Sequence, residues 1–279
     1  MIKRLLEAQN NTGECPVWLA DENALYWADI PGQTFQRYIP EAAEYRQWTV
    51  DEFACGLVPR IGGGLVAALQ HSLNFFDPLT GSLSPFAATS DKPFVRNNDM
   101  KCDPQGRLWV GTMNVSAQSK DGALYRVEPG GKVTQMLTGI GIANTLAWSP
   151  DEATFYFGDT SENVLWAFDY DAATGDISNR RVFFEGGRGG PDGSAIDSEG
   201  YLWNARYGGG CVLRIAPDGT LDKTVEVPAQ NPTSCAFGGP DLRTLFITSA
   251  GGEDASGDEG AVFVLETGVA GQPVGTFKG

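Results

Sequence analysis

The chain has 279 residues, with 20 Lys+Arg against 35 Asp+Glu and a formal net charge of -15. That balance supplies no basic patch for a phosphate backbone and excludes non-specific nucleic-acid binding. A hydrophobic fraction of 42% excludes a disordered acidic tail. No run approaches the roughly 20 apolar residues of a membrane-spanning helix, so no membrane partner is expected. The opening Met1-Ile2-Lys3-Arg4-Leu5-Leu6 meets Glu7 and Gln9 before a signal-peptide core can form. Five cysteines (Cys15, Cys55, Cys102, Cys211, Cys235) are scattered and contain no Cys-x-x-Cys pair. This is the usage of a reducing compartment and of neither a disulfide framework nor a zinc knuckle, so a cytoplasmic protein is expected.

Along the chain, short apolar runs are punctuated by 36 glycines and 16 prolines. One series begins at Leu25, Leu65, Leu108, Phe155, Leu202 and Leu245, with spacings of 40, 43, 47, 47 and 43 residues. Several of its members follow a turn such as Asp103-Pro104-Gln105-Gly106 or Ser149-Pro150-Asp151-Glu152. A second series follows the first, as in Gly122–Val127, Val164–Phe168, Cys211–Ile215 and Gly260–Val264, and leads into hairpin turns such as Ala216-Pro217-Asp218-Gly219. A repeat of this length holding about four strands is the signature of a propeller blade. Six copies fill residues 1–279, which predicts an all-β chain folded as a single-domain six-bladed β-propeller. Trp27, Trp109, Tyr156, Trp203 and Phe246 fall within these repeated runs and are read as packing between blades.

The informative polar residues precede or open the predicted innermost strands. They lie in Gly13-Glu14-Cys15-Pro16, Arg96-Asn97-Asn98-Asp99, Ile142-Ala143-Asn144-Thr145 and Gly190-Pro191-Asp192-Gly193. In a propeller these positions face one mouth of the central channel, so Glu14, Asn98, Asp99, Asn144 and Asp192 form a cluster of hard oxygen donors. Each alone is ordinary turn chemistry. Their recurrence at the same phase in four blades points to one divalent cation, with Ca²⁺, Mg²⁺, Mn²⁺, Zn²⁺ and Fe²⁺ all admitted. Cys15 and Cys235 are read as small buried hydrophobes, not thiolate ligands.

These segments, with Gly111-Thr112-Met113, Asn144-Thr145-Leu146-Ala147-Trp148 and Cys235-Ala236-Phe237-Gly238-Gly239, run in order through nearly the whole chain. In that order they resemble the gluconolactonase/regucalcin (senescence marker protein) family. The resemblance implies a six-bladed propeller that hydrolyses sugar lactones with one divalent metal at the channel mouth. It makes Glu14, Asn144 and Asp192 the metal ligands, and places Arg96 and Asn98 against the sugar hydroxyls with Asp99 beside them. Two departures stand out. The family's usual Asn-Gly is Asn144-Thr145 here, expected to alter the local turn, and the acidic residues that follow Gly-Thr-Met in regucalcin-like members are replaced by Asn114-Val115-Ser116.

Hydrolysis of a cyclic ester needs a polarised carbonyl, an attacking water and a proton acceptor. The single histidine, His71, lies in the repeat without a matching acid, and no Gly-x-Ser-x-Gly elbow exists, which argues against a Ser-His-Asp triad. The expected general base is therefore a carboxylate, Asp192 ahead of Asp99, with Arg96 orienting hydroxyls or steadying the oxyanion. Arg206 and Tyr207 are candidates for the same mouth. The expected reaction converts an aldonolactone to its aldonic acid in sugar-oxidation catabolism. A non-catalytic calcium-binding regulatory propeller is the alternative, and a partner-holding scaffold a third reading.

Overall fold

A computed structural model describes residues 1–279 as six four-stranded antiparallel sheets. These are the blades of a six-bladed β-propeller, all-β and single-domain as the repeat predicts. The innermost strands of blades 1 to 6 are Gly13–Leu19, Gly56–Pro59, Val95–Cys102, Ala143–Trp148, Gly190–Ile196 and Pro232–Gly238. The series beginning at Leu25 forms the second strand of every blade. Blade 6 closes the ring by taking its outermost strand, Lys3–Leu6, from the N-terminal end, paired with Val262–Glu266.

Strands buried on both faces read as continuous apolar runs, and the blades meet through aromatic side chains. Trp18 of blade 1 stacks on Phe246 of blade 6 at 5.2 Å, and Trp109 of blade 3 meets Trp148 of blade 4 edge-on at 5.9 Å. Each such pair adds about 0.5–1.5 kcal/mol beyond its buried area. All five of these repeat aromatics are buried, as expected of packing residues.

Two sets of buried acids brace the turns. At the end of the channel where the inner strands finish, Asp103 accepts from Trp109 Nε1 at 3.1 Å and Tyr170 Oη at 2.7 Å, while Asp197 accepts from Trp203 Nε1 at 2.9 Å. At the end where they begin, Asp29 accepts from the backbone N–H groups of Asn11 and Thr12, and Asp159 from those of Gly141 and Ile142. The second set fixes the backbone just ahead of Glu14 and Asn144.

The decisive irregularity lies in the inner strands. Each is bulged near its start in five blades, between Glu14 and Val17, Asn97 and Met100, Asn144 and Leu146, Pro191 and Ser194, and Pro232 and Ser234. Blade 2 pairs without a shift and carries only Gly56, Leu57, Val58 and Pro59 there. A bulge twists its strand and re-aims the side chains beside it, so the polar residues of the bulged blades converge on the channel. At the other mouth, a cavity of about 440 Å³ is lined by Trp18, Trp148, Phe237 and Pro273 among others. None of the five candidate donors lines it.

Candidate metal centre

Glu14, Asn98, Asp99, Asn144 and Asp192 are all buried at the mouth where the inner strands begin. Asn98 Nδ2 donates to Asn144 Oδ1 at 2.8 Å and to the Ala143 carbonyl at 2.9 Å, and Arg96 Nη1 donates to Asn98 Oδ1 at 2.7 Å. Glu14 and Asp192 lie close enough to share a hydrogen bond once either holds a proton, with Asp99 in electrostatic contact with both. The structure thus gathers the predicted donors and sets Arg96 beside them.

Donor accounting fixes the amide of Asn144. Thr160 Oγ1 lies 2.6 Å from the Pro191 carbonyl, which can only accept, so that hydroxyl spends its proton there. It must accept from Asn144 Nδ2 at 2.7 Å. The Asn144 amide oxygen is therefore the atom that faces Asn98, with one lone pair still unused. Neither Asp29, Asp159 nor Thr160 was singled out from the sequence. The two acids recur at the ends of second-strand runs, a signal available there, whereas Thr160 leaves none.

Burial and mutual repulsion govern the electrostatics. Glu14 is pushed up to about 7, first by desolvation and then by the Asp99 charge. Asp192 is driven well above the usual carboxylate range by burial and by the Glu14 and Asp99 charges, and Asp99 is raised by burial against the partial relief of Lys101. Asp99 Oδ2 and Asp192 Oδ1 are buried without any hydrogen-bond partner. Buried polar atoms are rarely left so. Two orphaned carboxylate oxygens in electrostatic contact with the Glu14 carboxylate fit a hard divalent cation. No three His, Cys, Asp or Glu side chains alone are grouped to hold an ion.

Two backbone positions carry strain. Cys15, after Glu14, has φ 48°, and Thr145, after Asn144, has φ 53°. For a β-branched residue this left-handed conformation costs about 1–3 kcal/mol. The turn expected to change with threonine instead keeps the conformation that glycine adopts freely. Gly193, after Asp192, is needed for another reason: a Cβ there would overlap Ser234 Oγ. Cys15 is buried, yet it is more than a small hydrophobe, because its Sγ lies 3.5 Å from Asp99 Oδ1. Cys235 sits in the apolar core of blades 5 and 6.

The remaining candidates separate. Arg206 is wholly buried and donates to the carbonyls of Arg188, Gly186 and Gly189 and to the side chains of Asn163 and Asn204. It binds the 186–189 loop and does not line the mouth. Tyr207 is exposed, and its hydroxyl is raised by burial of the group and by the charges of Asp192 and Glu14, which places it within their reach. His71 lies in the turn after Leu65–Ala68 of blade 2, with no side-chain hydrogen bond to any of these residues.

The fold and this mouth define a β-propeller with a buried cluster of oxygen-bearing side chains at one end of its channel. Residues 12–251 match the family described as the SMP-30/Gluconolactonase/LRE-like region. The chain belongs to that family. It is 38% identical to regucalcin of Danio rerio over 89% of this chain and 86% of that one. It is 36% identical to pentonolactonase XacC of Haloferax volcanii, covering 98% and 96% of the two chains. The crystal structure of a calcium-binding protein, regucalcin, from Agrobacterium tumefaciens superposes with a TM-score of 0.94 at 33% identity, covering 99% of this chain and 96% of the other.

Proposed function

We propose that the chain is a cytoplasmic, divalent-metal-dependent sugar lactonase that opens an aldonolactone to the aldonic acid in sugar-oxidation catabolism, with residues 1–279 as one catalytic domain. The observation that carries this reading is the pair of orphaned carboxylate oxygens, Asp99 Oδ2 and Asp192 Oδ1, buried beside Glu14 and the amide oxygen of Asn144. The name pentonolactonase on a relative matched along nearly its whole length supports the reaction class.

Glu14, Asn144 and Asp192 would hold the metal. A divalent cation supplies Lewis acidity for the lactone carbonyl and lowers the pKa of a bound water. Asp192, through the carboxylate oxygen that the metal leaves free, would accept the proton of the attacking water, with Asp99 the second candidate for that role. Arg96, tied by Asn98 Oδ1 and the Asn97 carbonyl, presents its guanidinium to the sugar hydroxyls or the developing oxyanion, and Asn98 holds the amide of Asn144 in place.

The same donors also suit calcium binding without catalysis, a reading favoured by the description of the Agrobacterium tumefaciens relative as a calcium-binding protein. One experiment separates the two. Protein stripped by chelator and reloaded in turn with Ca²⁺, Mg²⁺, Mn²⁺, Zn²⁺ or Fe²⁺ is offered a panel of aldonolactones. Hydrolysis lost on stripping and regained on loading is expected. Cation uptake with no turnover on any lactone would leave the binding role alone.

A further inference from the structure

We infer that Thr145 is a positioning residue, whose hydroxyl ties the bulge presenting Asn144 to the bulge presenting Asp192. The inference rests on the metal-centre reading above. Thr145 Oγ1 lies 2.5 Å from the Asp192 carbonyl, 2.9 Å from Ser194 Oγ and 3.2 Å from Asn204 Nδ2. The carbonyl can only accept, so Thr145 donates its single proton to Asp192. Ser194 must then donate to Thr145, and Ser194 Oγ in turn accepts from Asn204 Nδ2 at 2.9 Å. Asn204 Nδ2 also reaches the Asp192 carbonyl at 3.0 Å, and Asn204 Oδ1 accepts from Arg206 Nη1 at 3.1 Å.

The proton order of this chain is thereby determined from Arg206 to Asp192. Thr145, Ser194, Asn204 and Arg206 are all 0% exposed, so none can exchange its partner for water. Two donors, one from blade 4 and one from the neighbouring strand of blade 5, clamp the peptide of Asp192. The orientation of that peptide sets where its carboxylate points.

The backbone shows why the hydroxyl, and not the turn, explains threonine here. With φ 53° the position suits glycine without strain. A β-branched residue is tolerated because Gly158 packs opposite, where a Cβ would come 3.2 Å from that of Thr145. Glycine would make the same turn more easily, but it would leave the Asp192 carbonyl with one donor fewer.

The test is calorimetric titration of chelator-stripped full-length protein with Mn²⁺ and Ca²⁺, together with its metal-free melting temperature. Thr145→Gly should melt no lower than wild type without metal, yet bind the cation about 10–100-fold more weakly, the usual effect of losing an outer-shell partner. Thr145→Ser should restore wild-type affinity. Thr145→Gly that binds as tightly as wild type, Thr145→Ser that binds as weakly as Thr145→Gly, or a Thr145→Gly melt well below wild type each overturns the inference. A wild-type protein that takes up none of Ca²⁺, Mg²⁺, Mn²⁺, Zn²⁺ and Fe²⁺ overturns the metal-centre reading itself, before any variant is compared.

Discussion

Replacing a proposed metal ligand should make the metal-free protein more stable, not less. Glu14 ionises near pH 4.5 when solvated, and burial beside Asp99 moves it to about 7 in the folded chain. A raised folded value means the native state holds a proton that the unfolded chain gives up between those two pH values. Stability from this group is therefore complete below about 4.5 and lost as pH rises through about 7. At about 1.36 kcal/mol per pKa unit, the penalty above that window is about 3 kcal/mol. Glutamine keeps the shape, keeps an oxygen for the Cys15 N–H, and carries no charge to desolvate.

In chelator at pH 8, Glu14→Gln should therefore melt about 6–12 °C above wild type, taking about 2–4 °C per kcal/mol for a domain near this size. At pH 5, still above the solvated value, the gap should shrink to about 2–3 °C. Added Ca²⁺ or Mn²⁺ should reverse the order at pH 8, raising wild type by mass action and leaving the variant unmoved. Differential scanning calorimetry in the four conditions reads all of this directly. A Glu14→Gln protein less stable than wild type in chelator at pH 8 would show that the carboxylates do not repel one another in the empty pocket, and the case for a cation would lose its physical basis.

Two substitutions probe the neighbouring parts. Arg96→Ala should raise KM for an aldonolactone more than it lowers kcat, because Arg96, held by Asn98 Oδ1, is proposed to contact the sugar hydroxyls and carries none of the metal ligation; steady-state kinetics with one metal-loaded stock decides this. Gly193→Ala should cost about 1–3 kcal/mol in denaturant unfolding, the usual cost of overpacking, since its Cβ would overlap Ser234 Oγ. Adding Ser234→Gly should recover part of that loss.

The architecture was legible because its signal is repetitive. Each second strand announces itself with a run such as Leu108-Trp109-Val110 or Leu202-Trp203, and sheet faces buried on both sides leave those runs uninterrupted. The donors were legible by phase, since Glu14, Asn98, Asn144 and Asp192 all sit at the opening of an inner strand. What supports them was not. Thr160 and Asn204 act by meeting residues 31 positions and 59 positions away, at Pro191 and Thr145, and contacts of that range have no local pattern. Arg206 looked like a mouth residue because strand order brings it to that end, but its side chain turns back to five acceptors within the protein.

The bulges explain why a phase argument succeeds where strict alternation would fail. In a regular strand, successive side chains face opposite sides, so Asn98 and Asp99 could not both reach the same pocket. Here the register between Asn97 and Met100 slips, and both do: Asn98 meets Asn144, and Asp99 meets the Cys15 thiol and the charges of Glu14 and Asp192. Blade 2 is the converse case. Its inner strand is unbulged and opens at Gly56, where a Cβ would press on Cys15 Sγ and Met100 Sδ. A side chain there would displace the residue that follows Glu14, so the blade that brings no donor still contributes by leaving space. The site is thus made by backbone irregularity in the four blades that carry its donors and by its absence in blade 2.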